Sequence, residues 1–143
     1  MKNKKRVLDP EQNETLYKYD ENNNLIWAKD AAGGVTQYTY DKLNNLTQVL
    51  NAKKETTSYE HDALGRVIKA TDPLGNEVRY AYDGVGNITS MINAEGKKIE
   101  YSYNAAGKLI EKTLPDGSKT KYEYDPAGNM LYAENDHIAY NYT

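Results

Sequence analysis

Two histidines and a regular column of acids are the residues in this chain best equipped for chemistry. His61 lies in "SYEHDALG", beside Asp62 and three residues after Ser58. An imidazole near a hydroxyl and a carboxylate has the parts of a nucleophile and its base, because histidine titrates close to neutrality. The chain holds no cysteine, so thiolate chemistry, disulfides and cysteine-based metal sites are excluded. Ser58 and Asp62 also stand at positions that recur along the chain, so His61 reads as a packed or partly exposed aromatic substitute rather than a base. His137, in the final turn, has no such company. The acids Asp20, Asp41, Asp62, Asp83 and Asp125 fall in register and invite a calcium ladder. One carboxylate per turn is short of the roughly six to eight oxygens that Ca²⁺ takes. An aspartate opening a type I turn accounts for the same column at less cost. Asp-Pro pairs at Asp9, Asp72 and Asp125 raise self-cleavage, and they too read as turn grammar. The residues call for no catalytic group, metal or cofactor. The chain does not read as an enzyme.

The elements that hold these residues repeat. Tyr17, Tyr38, Tyr59, Tyr80, Tyr101 and Tyr122 follow one another at intervals of 21, and two residues on stand Tyr19, Tyr40, His61, Tyr82, Tyr103 and Tyr124. The acidic column comes next, with Asn104 in its fifth place. Three residues later comes Asn23, Asn44, Gly65, Gly86, Gly107 and Gly128, and after it the apolar Leu25, Leu46, Val67, Ile88, Leu109 and Met130. Such self-similarity is the signature of a repeat architecture. Each period carries two turns, as in Asp125–Gly128 and Asp72–Gly75, with proline at the second place and glycine at the fourth. That chemistry suits a type I turn whose left-handed residue completes a bulged three-residue hairpin loop.

Turns every ten or eleven residues leave strands of about six residues. No stripe of period 3.6 argues for helix. The expected fold is all-β: a single long antiparallel meander of about fourteen short strands, twisted and curled, built from 21-residue two-strand repeats. Residues 1–6 read as a basic leader or edge and 7–143 as the array. Alternation puts Tyr38, Tyr40 and Thr36 on one face and Gln37 and Thr39 on the other, which reads as solvent. The chain has 14 tyrosines and no phenylalanine. A sealed core would accept phenylalanine, whereas a buried hydroxyl needs a partner. All-tyrosine columns therefore suit a thin wall whose polar tips stay wet or hydrogen-bonded. Trp27, the one tryptophan, reads as exposed on the first repeat or covering an end.

Charge narrows the partners. With 18 basic and 21 acidic residues the net charge is −3, which argues against nucleic acid or an anionic membrane held by bulk electrostatics. No apolar run approaches a membrane span. "MKNKKR" is followed by "VLDPEQNE" where an export signal would need an apolar stretch, and the ending "YNYT" falls inside a motif, as a fragment would.

The "YxYDxxGN" unit at a 21-residue period resembles the YD repeats of the Rhs family, found in polymorphic toxins, the shell component of insecticidal toxin complexes and teneurins. The resemblance covers residues 7–143. It implies a strip of antiparallel strands spiralling into a hollow shell around a toxin or other cargo, in a secreted or cell-surface protein. The family's self-cleaving core has no counterpart among these residues, and six repeats are too few to close a shell. Implied partners are neighbouring repeats or cargo of a larger protein. The alternative is a cell-surface carbohydrate-binding or adhesion module, with tyrosine faces stacked on sugar rings. A final expectation concerns self-association through the uncharged C-terminal strand, where Ile138, Tyr140 and Tyr142 share a face.

Overall fold

The computed structural model describes residues 4–135 and 139–141, and among them every regular element is a strand. Fourteen strands follow in order. They are β1 (Lys4–Leu8), β2 (Glu14–Tyr19), β3 (Leu25–Lys29), β4 (Val35–Tyr40), β5 (Leu46–Leu50), β6 (Thr56–His61) and β7 (Val67–Thr71). Then come β8 (Glu77–Tyr82), β9 (Ile88–Ile92), β10 (Lys98–Tyr103), β11 (Leu109–Thr113), β12 (Lys119–Tyr124), β13 (Met130–Asn135) and β14 (Ala139–Asn141). The first strand starts at Lys4, inside the stretch read as a leader. Two compact units meet between Glu77 and Val78, within β8. In the first, β1 to β7 form an antiparallel meander in chain order. In the second, β8 to β14 do the same.

Twelve turns join β1 to β13, and all share one hydrogen-bond pattern. At Asp125 the N–H of Gly128 donates to the Asp125 carbonyl at 2.9 Å, and the Asp125 N–H donates to the Asn129 carbonyl at 2.9 Å. The fourth residue of each turn has positive φ, the left-handed geometry of the bulged hairpin. Asn23, Asn44 and eight glycines fill most of these places. Gln12 (φ 65°) and Lys54 (φ 67°) fill the other two, although neither residue type favours that region. There the turn's backbone bonds impose the geometry on an ill-suited residue.

A second irregularity recurs at each period, and turn grammar does not foretell it. Pairing slips by one residue between Lys18 and Tyr19, Thr39 and Tyr40, Glu60 and His61, Ala81 and Tyr82, Ser102 and Tyr103, and Glu123 and Tyr124. Every second-column aromatic therefore sits at a β-bulge, where the partner strand carries one residue more than the ladder can pair.

The molecule has almost no closed core. Ala133 is the one buried hydrophobic residue among those described. In β10 and β12 exposure alternates strictly, with Ile99, Tyr101 and Tyr103 half-buried between exposed Lys98, Glu100 and Ser102. The face expected to be solvated is partly covered elsewhere, since every residue of β2, β7 and β9 is half-buried. Long side chains lying across that face do the covering. Lys69 on β7, for instance, spans to Glu60 at 2.5 Å and Glu77 at 3.3 Å.

Candidate functional site

The feature that recurs with full geometric regularity is the pair of aromatic columns and the turns beside them. All twelve column positions are half-buried. First-column tyrosines lie opposite compact or flexible residues: Tyr17 against Ala28, Tyr38 against Val49, Tyr59 against Ala70, Tyr80 against Met91, Tyr101 against Lys112 and Tyr122 against Ala133. Each ring thus has a cross-strand neighbour that leaves room for it.

The second column carries a polar task. Tyr40 donates its hydroxyl to the Leu25 carbonyl, Tyr103 to that of Ile88, and Tyr124 to that of Leu109, each at 2.9 Å and each 15 residues back. The acceptor in every case is the first residue of the preceding repeat's bulged strand, where the ladder is interrupted. A part-buried carbonyl without a partner there would be costly. The hydroxyl of the following repeat supplies one, and phenylalanine cannot. Burial raises the Tyr40 and Tyr103 phenols above their ordinary value, with smaller contributions from Tyr38 and Asp20 and from Tyr101 and Asp83 respectively. The phenols therefore stay protonated as donors at neutral pH.

His61 holds the equivalent place on β6 and does not perform the task. Its Nδ1 is buried and has no hydrogen-bond partner. No nucleophile and base assemble around it, since Ser58 and Glu60 point to the opposite face of the strand. His137 lies outside the described residues.

The aspartate column closes turns. One carboxylate oxygen of Asp41 accepts the N–H groups of Leu43 and Asn45 at 2.8 Å, while the other accepts the Asn45 side-chain amide at 2.9 Å. Asp20, Asp83 and Asp125 repeat the motif with Asn24, Asn87 and Asn129. At Asp62 the partner is Arg66, which adds an ion pair at 2.7 Å. The Asn45, Asn76 and Asn129 amides, then the backbone N–H groups, hold Asp41, Asp72 and Asp125 below the usual carboxylate range. Among the described residues no three acids or histidines converge as a metal would require. The carboxylates are spent on the turns.

Bonds between successive turns complete the arrangement. Asn44 Oδ1 accepts from the side chains of Asn22 at 3.0 Å and Asn24 at 2.7 Å. Where Asn104 replaces the aspartate, Lys108 replaces its asparagine partner. The Lys108 ammonium reaches the Gly128 carbonyl of the next turn at 2.8 Å and lies 5.2 Å from the Tyr124 ring centre. Gly65, Gly86, Gly107 and Gly128 are the left-handed turn residues, as the spacing implies. Of the proposed association edge, Ile138 and Tyr142 lie outside the described residues, and Tyr140 falls in β14. The strand-to-strand bulge and the hydroxyl bond across it were missed by sequence reasoning. Their one available signal was the use of tyrosine at eleven of the twelve column positions and of phenylalanine at none.

Comparison with known proteins places this geometry. The fold is similar to the crystal structure of TcdB2-TccC3 without its hypervariable C-terminal region, with a TM-score of 0.63 at 20% identity. That match covers 91% of this chain and 7% of that one. It is also similar to the Photorhabdus luminescens Tc holotoxin pore carrying a TccC3 mutation, with a TM-score of 0.56 at 18% identity, covering 90% of this chain and 9% of that one. The chain therefore spans less than a tenth of either structure it resembles. No curated protein sequence matches it. The RHS Repeat profile matches residues 19–56, 50–77, 61–98 and 103–135, most of the array of tyrosine columns and bulged turns, and the chain belongs to the RHS repeat family.

Proposed function

We propose that this chain is a stretch of wall in a hollow β-shell that encloses a toxin or other cargo domain of a larger, secreted or surface-exposed protein. The observation that carries this reading is that, in each unit, the tyrosine columns share one face of an antiparallel meander, with a single buried hydrophobic residue among those described. A sheet ordinarily covers its apolar face with a second layer. Here that face is left for something enclosed. The turn tips point the same way, because Leu43, Leu64, Leu74 and Val85 are 70–88% exposed, as suits a strip flanked by further wall. The wall's role is passive: repeats stack, each contributes its own stability and its interface with the next, and none supplies a catalytic group.

Protease protection in the full polypeptide that carries these repeats tests the proposal. Enclosed cargo should survive concentrations of protease that digest the same domain when it is expressed alone. Cargo digested equally fast in both settings would refute encapsulation.

A further inference from the structure

Eleven of the twelve turns open on aspartate or asparagine, and in each a side-chain oxygen of that residue accepts the N–H four residues on. The twelfth opens on Leu114, whose side chain accepts nothing. That turn closes on two backbone bonds, from the Gly117 N–H to the Leu114 carbonyl at 2.9 Å and from the Leu114 N–H to the Ser118 carbonyl at 2.8 Å. Its acid stands two places late, as Asp116, and glycine follows it. Asp116 and Gly117 are both exposed. Ser118 donates its N–H at 2.9 Å and its hydroxyl at 2.7 Å to Oδ1 of Asp116.

We propose that Asp116 is a site of spontaneous covalent modification, cyclising onto Gly117 and reopening as isoaspartate. This goes beyond the wall function and does not depend on it. The Gly117 nitrogen attacks Cγ of Asp116 and gives up its proton, and a carboxyl oxygen leaves as water. Water then opens the five-membered imide at either carbonyl. Opening at Cγ restores aspartate, whereas opening at the α-carbonyl leaves the chain running through Cβ and Cγ, one carbon longer. The water lost is regained, and no oxidant or reductant takes part. Glycine has no Cβ to hinder the approach of its nitrogen, and the two Ser118 donors polarise the group under attack. The imide has no N–H, so the step breaks the bond from Gly117 to Leu114. A turn without a side-chain clamp opens locally at the least cost. The product turn carries an extra carbon beside the Thr113–Lys119 pair, which loosens the hairpin of β11 and β12.

The other Asp-Gly pair in the chain is the control. Asp83 precedes Gly84 but opens its own turn. Its Oδ1 accepts the N–H groups of Val85, Gly86 and Asn87 at 3.0, 2.8 and 2.9 Å, and its Oδ2 the Asn87 side-chain amide at 2.8 Å. The Asn87 amide, aided by these N–H groups, holds Asp83 below the usual carboxylate range, so it stays ionised with no leaving group.

The intact polypeptide is aged at neutral pH, and isoaspartate is located by electron-transfer fragmentation and by enzymatic carboxyl methylation. It should accumulate at Asp116 about tenfold faster than at Asp83, and the two rates should converge in guanidinium chloride, where the turns are gone. Leu114→Asp, which restores the clamp, should slow Asp116 severalfold with the circular dichroism spectrum unchanged. Asp116→Glu, which would need a six-membered ring, should remove the product at this place. The assignment is overturned if the folded chain modifies Asp83 as fast as Asp116, or forms no isoaspartate at Asp116 while the unfolded chain does. It is equally overturned if a folded Leu114→Asp variant reacts at the parent's rate.

Discussion

Tyr103 and His61 occupy the same place in two repeats with the same backbone, and only one of them makes its bond. Tyr103 hands a hydroxyl to the Ile88 carbonyl, whereas His61 leaves Nδ1 buried without a partner. Both rings fill the column, so packing tolerates either. The difference shows that the second column has two separable duties, filling space and satisfying a carbonyl at the bulge. The first is met by any flat ring of the right size. The second requires a donor at the end of a six-membered ring.

Four substitutions and a pH series break that comparison into its parts. Tyr103→Ala removes both duties and should cost ~3 kcal/mol or more in denaturant unfolding. Tyr103→Phe removes only the donor and should cost about 1–2 kcal/mol, because the Ile88 carbonyl then lacks its partner. A phenylalanine variant as stable as the parent would reduce the column to packing. His61→Tyr should gain about 1 kcal/mol, since register puts its hydroxyl at the Leu46 carbonyl. A loss there would mean that the His61 pocket has closed around the smaller ring.

The pH dependence follows from the phenols. Tyr40 and Tyr103 have folded pKa values raised above the ordinary ~10, so the folded state retains these protons longer than the unfolded chain. Their contribution is whole below about pH 10 and is lost as pH rises through the folded values. Unfolding free energies measured from pH 8 to 11.5 should decline across that window, and less steeply in Tyr103→Phe. Ser102→Ala, on the opposite face, should change stability by less than ~0.5 kcal/mol by the same unfolding measurement.

Much of the fold was legible because the same message is written six times. Period, turn places, strand length and face assignment all come from residues whose type is dictated locally: aspartate to close the turn, glycine or asparagine for positive φ, tyrosine on alternate positions. Gln12 and Lys54 show where that reading ends, since their left-handed geometry is imposed by the hairpin bonds around them. The bulge was illegible for a different reason. Its extra residues, such as Ile26 and Ile110, are ordinary strand formers, and a slip of register leaves no mark in composition. Of the candidate site, the columns could be placed from sequence, but the acceptor 15 residues away could not.

The hydroxyl bonds all run one way along the chain. Tyr40 closes the bulge that opens at Leu25, Tyr103 the one at Ile88, and Tyr124 the one at Leu109, so each of these three bulges is fastened by the repeat that follows it, while His61 leaves that bond unmade. The array therefore has a polarity that its near-identical repeats conceal. Peeling a repeat from the C-terminal side strips a carbonyl in the repeat before it of its donor. Peeling one from the N-terminal side frees a phenol, which water can serve at little cost. Fraying should thus travel more readily from head to tail than from tail to head, as a zip opens from the end where its slider stands.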